Sequence, residues 1–167
     1  MNYADIKPND TANGEGICVS LFVSGCTNYC KGCFNKETWD FNYGKPFTNK
    51  EMNYILECIN KNGIMRNFSL LGGDPLHSKN ILTSMKILSK IKEVYPHITT
   101  YVWTGYLYED LLEQYGEDLF MDIDVLIDGK FEIDKKDLTL KLRGSKNQRV
   151  IDVQSSLKEN KIVLLDV

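Results

Sequence analysis

The stretch ICVSLFV, residues 17–23, runs without a break into SGCTNYCKGC, residues 24–33. The first part is short, apolar and rich in branched and aromatic side chains, which predicts a buried β-strand. The second part places Cys26, Cys30 and Cys33 within eight residues and supplies no fourth cysteine nearby. A closed tetrahedral site needs four ligands. The sequence therefore predicts a loop of three metal ligands that begins where a strand ends and leaves one position open.

Three further apolar runs are each followed by a polar or glycine-rich stretch. The pairs are FSLL with GGDPLH (68–77), ITTYVW with TGY (98–106), and IDVLID with GKFE (123–132). Helical patterns separate them: one helix begins at a capping box of Thr48 and Glu51, a second is capped by Ser78 and stopped by Pro96, and a third covers 108–115. LTLKL, RVIDV and KIVLL near the end indicate short strands. This alternation favours an α/β fold with a mainly parallel sheet, so the polar loops should meet at one edge.

Composition limits the class of protein and its partners. The 167 residues suffice for one domain, and 43% hydrophobic with 26% charged residues is typical of a globular chain. A net charge of -3 and a pI near 5.4 argue against nucleic-acid binding. We find neither a signal-peptide pattern nor an apolar run of the ~20 residues that a membrane helix requires, so we expect a cytoplasmic protein without a membrane partner.

Reduced cytosolic thiols in a close group usually bind metal or carry redox chemistry. Thiolates select zinc, copper(I) or iron-sulfur clusters. Cys18 and Cys58 lie in apolar surroundings and are predicted to be buried hydrophobes. A Cys3His zinc site completed by His77 is one alternative, and an electron-carrier cluster with a fourth cysteine is another. A 4Fe-4S cluster takes one ligand per iron, so three cysteines would leave its fourth iron open.

Cys-x-x-x-Cys-x-x-Cys after a first strand resembles the signature of the radical S-adenosylmethionine enzymes. Within that superfamily the chain resembles the small activating proteins of anaerobic, class III ribonucleotide reductases. The similarity runs in order through most of the chain: MNYADIKPND (1–10), FVSGCTNYCKGCFNKETW (22–39), GKPFT (44–48), LLGGDPLH (70–77), VWTGY (102–106), VLIDGKFE (125–132) and LRGSKNQR (142–149).

The resemblance implies a fold, a reaction and two partners. The fold would be a shortened, partial (β/α) barrel-like parallel sheet in a single domain, residues 1–167. A 4Fe-4S cluster would cleave S-adenosylmethionine reductively, and the resulting 5'-deoxyadenosyl radical would take a hydrogen from a glycine of the anaerobic ribonucleoside-triphosphate reductase. A separate low-potential donor such as flavodoxin would supply the electron.

The resemblance also implies roles for particular residues. Cys26, Cys30 and Cys33 would ligate the cluster. Gly32, Cys33 and Phe34 would lie against the cofactor, with core packing as the alternative for Phe34.

At the next strand end, Gly72, Gly73 and Asp74 would receive the methionyl ammonium of the cofactor, chiefly through main chain that glycine leaves unobstructed. Asp74 stands where many relatives have Glu. Residues 103–106 and 143–149 are expected near the cofactor or the partner, and Arg143 and Arg149 could pair with a carboxylate of either.

One segment departs from the family pattern. Relatives commonly have Asn-Gly-Pro-Gly followed by Arg before the first strand, whereas this chain has NGEG, residues 13–16, without that Arg. Two other functions stay open on the sequence: activation of another glycyl-radical enzyme of the formate-lyase type, and a non-catalytic zinc or iron-sulfur module.

Overall fold

The computed structural model describes residues 1–33 and 35–167. Within these ranges seven strands form one sheet: β1 Asn2–Asp10, β2 Cys18–Val23, β3 Lys45–Pro46, β4 Asn67–Gly72, β5 Thr100–Trp103, β6 Val125–Asp128 and β7 Arg149–Asp152. The α-helices of the same ranges are α1 Asn49–Ile59, α2 Ile81–Val94, α3 Tyr108–Tyr115 and α4 Val153–Glu159. None of these helices combines the length and the apolarity needed to cross a membrane.

The four strands predicted from the apolar runs form the centre of the sheet. Its order is β3-β1-β2-β4-β5-β6-β7, and the pairs β2–β4, β4–β5 and β5–β6 are parallel. Both outer parts are antiparallel, since β1 pairs with β2 and β3, and β7 pairs with β6. The sheet is therefore mixed and open, with β3 and β7 at its edges among the described residues. The carboxyl ends of β2, β4, β5 and β6 share one edge, as the parallel pairing requires.

The helix starts are partly as predicted. Thr48 and Glu51 form the expected capping box at the start of α1. The expected cap of α2 at Ser78 is wrong, because turns occupy residues 74–80 and Asn80 takes the N-cap position. The Asn80 side chain instead donates to the carbonyl of Ser24 (3.0 Å), and so ties the loop after β4 to the loop after β2.

Two apolar clusters cover the two faces of the sheet. The larger joins α1, α2 and α3 to alternate strand residues such as Leu21, Phe68 and Leu70. The smaller, on the opposite face, contains Cys18, Tyr101 and Ile127. Cys18 and Cys58 are 0% and 3% exposed, which confirms that they are buried hydrophobes.

The chain ends differ most from the sequence-based expectation. RVIDV does contribute a strand, β7, but residues 138–142 (LTLKL) form turns and bends, and 161–165 (KIVLL) contributes a single bridge from Leu164 to Ile151. β1 was not anticipated, because its half-exposed, charged residues carry no apolar run. β1 is stabilised by its antiparallel pairing with β2 and not by an apolar pattern of its own.

Candidate functional site

One cavity of about 150 Å³ lies at the carboxyl edge of the parallel strands. Each of the four strand-end loops contributes to its lining, which confirms the predicted convergence. The contributions are Cys26, Cys30 and Cys33 after β2, Gly72 and Gly73 at the end of β4, Thr104 and Gly105 after β5, and Gly129 and Phe131 after β6. The three cysteines of the sequence motif therefore share one cavity with Gly72 and Gly73, whereas Gly32, also predicted to lie against the cofactor, is not among the residues that line it.

The backbone of the cysteine loop follows a path that depends on glycine. Gly25 and Gly32 have φ values of 106° and 81°, in the left-handed region that glycine tolerates. A Cβ on Gly32 would lie 2.7 Å from Cδ1 of Ile133, and one on Gly25 would lie 2.0 Å from Cδ1 of Phe41. The N–H of Gly25 donates to the carbonyl of Thr38 (2.7 Å), which anchors the start of the loop. Gly32 lets the loop pack closely on the segment after β6.

Burial disfavours the thiolate form of two cysteines of the loop, Cys26 and Cys30. It raises the pKa of Cys26 to about 11, and it raises the pKa of Cys30 as well. A metal ligand must be a thiolate, so binding of a metal or cluster would release the thiol protons. A positively charged iron centre would offset the desolvation that disfavours the thiolates.

The described side chains form no preassembled site for a single metal ion. Within residues 1–33 and 35–167, no three His, Cys, Asp or Glu side chains are grouped as a single bound metal ion would require. The cysteine sulfurs that ligate a four-iron cluster need not converge on one point, because each cysteine binds a different iron. His77 lies outside the cavity lining, with its ring centroid 4.7 Å from that of Phe41 and its Nδ1 accepting from the N–H of Lys79 (3.1 Å). It does not complete the Cys3His zinc alternative.

Gly72 and Gly73 allow the end of β4 to pack against the cysteine loop. The N–H of Gly73 donates to the carbonyl of Val23 (2.8 Å). A Cβ on Gly73 would lie 2.6 Å from the carbonyl oxygen of Gly25 and 2.8 Å from that of Thr38. These glycines are thus required by protein packing, whichever ligand the cavity accepts.

Asp74 is not among the residues that line the cavity and is 1% exposed. Its carboxylate accepts four hydrogen bonds, from the side chains of Asn28 and Thr104 and from the N–H groups of Leu76 and Gly105. Burial raises the pKa of Asp74, while these four donors act in the opposite direction. The carboxylate joins three loops of the site, and a direct contact of Asp74 with a cofactor stays a prediction.

The two other motifs border the site in different ways. Trp103 lines the cavity, and its indole N–H donates to the carbonyl of Leu142 (2.7 Å). Arg143 donates to the carbonyl of Gln148 (2.6 Å). Arg149 is paired within the chain with Asp128 and Glu109. The guanidinium of Arg149 thus already has two carboxylate partners within the chain. The predicted pairing of Arg143 or Arg149 with a carboxylate of the cofactor or the partner stays a prediction.

Several lining residues were not singled out from the sequence. Phe131 lies beside Gly32, and Gln148 donates from its amide to the carbonyl of Gly129 (3.0 Å). Asn28 lies within the cysteine loop itself. Asn28 and Phe131 lie in stretches that the sequence places at strand ends, and Gln148 lies in the stretch 143–149 that the family resemblance places near the cofactor or the partner. Phe34, predicted to lie against the cofactor, is outside the described residues.

The NGEG departure lies away from the cavity. Gly14 packs on the sheet face of the smaller cluster, where its added Cβ would lie 2.6 Å from Sγ of Cys18. Ser69 donates its hydroxyl to the carbonyl of Asn13 (2.6 Å). None of residues 13–16 lines the cavity, so Glu15, which stands where relatives have Pro, is not part of its walls.

Comparison with known proteins supports an iron-sulfur domain in this chain. Residues 12–151 match the family model described as a 4Fe-4S single cluster domain. The chain is 44% identical over 150 residues to the anaerobic ribonucleoside-triphosphate reductase-activating protein of Pasteurella multocida, covering 89% of this chain and 95% of that protein.

Proteins of the same name in Escherichia coli K12 and Enterobacteria phage T4 are 43% and 39% identical over 151 residues. These matches cover 90% of this chain, with 97% of the bacterial and 93% of the phage protein. With such identity over nearly the whole length, and with three cysteines on one cavity, the chain belongs to the family of anaerobic ribonucleoside-triphosphate reductase-activating proteins and carries a 4Fe-4S domain.

Proposed function

We propose that this protein activates the anaerobic ribonucleoside-triphosphate reductase by forming a glycyl radical on it. A bound 4Fe-4S cluster would supply the electron that cleaves S-adenosylmethionine, and the 5'-deoxyadenosyl radical so formed would take the hydrogen of a reductase glycine. The observation that carries the proposal is the single cavity that three cysteines share with glycine-rich ends of parallel strands. The names of the relatives support the choice of partner.

Cys26, Cys30 and Cys33 are the proposed cluster ligands. The two remaining cysteines, Cys18 and Cys58, are buried in the two apolar clusters and do not line the cavity. Three ligands for four irons leave one iron for the amino and carboxylate groups of S-adenosylmethionine.

The rest of the cavity suits a cofactor that must be shielded from water. Gly72 and Gly73 bring main chain to the cavity wall, where it can receive the methionyl ammonium. Trp103, Phe131 and Leu71 supply apolar surface. Excluding water there protects a reactive intermediate from side reactions. The contacts proposed for Gly32, Phe34 and Asp74 belong to the same hypothesis.

The remaining elements of the proposal concern the fold and the partners. The parallel strands β2, β4, β5 and β6 would form a shortened, partial (β/α) barrel. The electron would come from a separate low-potential protein such as flavodoxin, because the cavity offers ligands for one cluster. A net charge of -3 fits a cytoplasmic protein that acts on another protein and not on nucleic acid.

The test is anaerobic reconstitution followed by spectroscopy. We expect several irons with sulfide per chain, and a paramagnetic signal of the reduced cluster that changes when S-adenosylmethionine is added. Mixing with the reductase should then give a glycyl radical on the reductase. About one zinc without sulfide would contradict the proposal in favour of a zinc module. A glycyl radical formed only on a formate-lyase type protein would contradict the choice of partner.

A further inference from the structure

The Asp74 carboxylate lies where the loops after β2, β4 and β5 meet. Its Oδ2 accepts from the side-chain amide of Asn28 (3.0 Å) and from the N–H of Gly105 (2.9 Å). Its Oδ1 accepts from the hydroxyl of Thr104 (2.8 Å) and from the N–H of Leu76 (3.0 Å). Because Asp74 is buried, water cannot solvate its carboxylate, and the four donors stabilise it instead. The three loops are held together through one carboxylate.

Asn28 is the member of this group that belongs to the cysteine loop. It stands two residues from both Cys26 and Cys30. Its own N–H donates to Sγ of Cys26 (3.4 Å), while its side chain crosses to Asp74. The start of the loop is anchored separately by Gly25, whose carbonyl accepts from the N–H of Asp74 (2.8 Å). The Asn28 side chain therefore attaches the middle of the loop to the carboxylate of Asp74, which the ends of β4 and β5 already hold in place.

Gly105 leaves the space through which Asn28 reaches the carboxylate. A Cβ at Gly105 would lie 2.1 Å from Nδ2 of Asn28, and the three atoms nearest to that Cβ all belong to Asn28. The φ of Gly105 is outside the left-handed region, so alanine is compatible with its backbone. A methyl group at this position would act chiefly by displacing the Asn28 side chain.

We propose that Asn28 is a positioning residue which, through Asp74 and the gap at Gly105, locks the three-cysteine loop against the ends of β4 and β5. The effect of Asn28 on S-adenosylmethionine binding rests on the function proposed above. If the loop holds the cluster, the position of the loop also determines where the cluster lies relative to Gly72 and Gly73. Asn28 acts on the cofactor through the loop and is not itself a ligand of the cluster.

The first test uses the protein without cluster and does not depend on the proposed function. Hydrogen exchange of the backbone amides of residues 26–33 is compared in the wild type, Asn28→Ala, Gly105→Ala and the double variant. Each single change should speed exchange about tenfold, which corresponds to the loss of one hydrogen bond to a charged group. Lys31→Ala, an exposed change in the same loop, is the matched control and should leave the rate unchanged.

The double variant distinguishes positioning from two independent defects. If Gly105→Ala acts through Asn28, the double variant exchanges at the rate of Asn28→Ala alone. Additive acceleration in the double variant would overturn the role given to Gly105. Unchanged exchange in Asn28→Ala would overturn the lock itself.

The second test measures the reconstituted protein. Because all three cysteines remain, Asn28→Ala should retain the iron and sulfide content of the wild type, while its dissociation constant for S-adenosylmethionine rises about tenfold. An unchanged dissociation constant would overturn the proposed effect on the cofactor. Failure of the wild type to bind S-adenosylmethionine would instead overturn the proposed function, and the exchange rates would still decide whether Asn28 positions the loop.

Discussion

Arg149, the first residue of β7, closes an ion pair on the fully buried carboxylate of Asp128 at the end of β6. Its Nε donates to Oδ1 of Asp128 (2.9 Å), and its Nη1 donates to Oε1 of the more exposed Glu109 (2.8 Å). The pair fixes the antiparallel edge of the sheet beside Gly129 and Gln148, which line the cavity. The edge of the sheet beside the cavity is therefore stabilised by this ion pair as well as by the backbone hydrogen bonds between β6 and β7.

Arg149→Ala should destabilise the protein, because it leaves the carboxylate of Asp128 buried without its partner. We expect the free energy of unfolding to fall by about 3 kcal/mol, measured by urea denaturation. Glu109→Gln is the control, since the pair it breaks is half exposed and should contribute less than about 1 kcal/mol. Equal losses for the two variants would show that burial of Asp128 does not decide the effect.

Glu109 should add an acid-sensitive part to stability. The hydrogen bond from Arg149 lowers the pKa of Glu109 below its ordinary value of 4.5. A lowered folded-state pKa gives stability that is complete above the ordinary value and is lost as the pH falls through the folded value. The stability difference between the wild type and Glu109→Gln should therefore shrink between about pH 5 and pH 3. A difference that stays constant over this range would contradict the ion pair.

Cys26→Ala, Cys30→Ala and Cys33→Ala should each lose the cluster. Each change removes one of the three proposed ligands, and no other cysteine lines the cavity among the described residues. Iron and sulfide per chain after anaerobic reconstitution is the measurement. Cys58→Ala, on α1 and 3% exposed, should keep both at the wild-type level. Loss of iron in that control would mean that the three-ligand assignment is wrong.

Gly73→Ala should damage both stability and the site. The added Cβ would meet two backbone carbonyl oxygens, at 2.6 and 2.8 Å, which cannot move aside as a flexible side chain could. We expect a loss of about 3 kcal/mol in urea denaturation, together with weaker binding of S-adenosylmethionine. Gly63→Ala is the matched control: its Cβ would meet open space, so only its φ of 71° opposes the change, at about 1 kcal/mol. Comparable losses in the two variants would contradict the packing argument.

Much of the fold was predictable because its signals are local. The apolar runs correctly predicted β2, β4, β5 and β6, and Thr48 with Glu51 correctly marked the start of α1. The start of α2 was misplaced at Ser78, because the choice of Asn80 depends on hydrogen bonds to the distant loop at Ser24. Propensity alone does not contain that information.

The sequence by itself determined the spacing of Cys26, Cys30 and Cys33 and their position at the end of a strand. It also determined the alternation that brings four strand ends to one edge, because side-chain periodicity and chain connectivity are local properties. Only the tertiary structure decided that Asp74 accepts from Asn28 and Gly105, which are 46 and 31 residues away. It also decided that Arg149 pairs with Asp128. Such partners are set by sheet register and by the burial of charge, which no short stretch of sequence specifies.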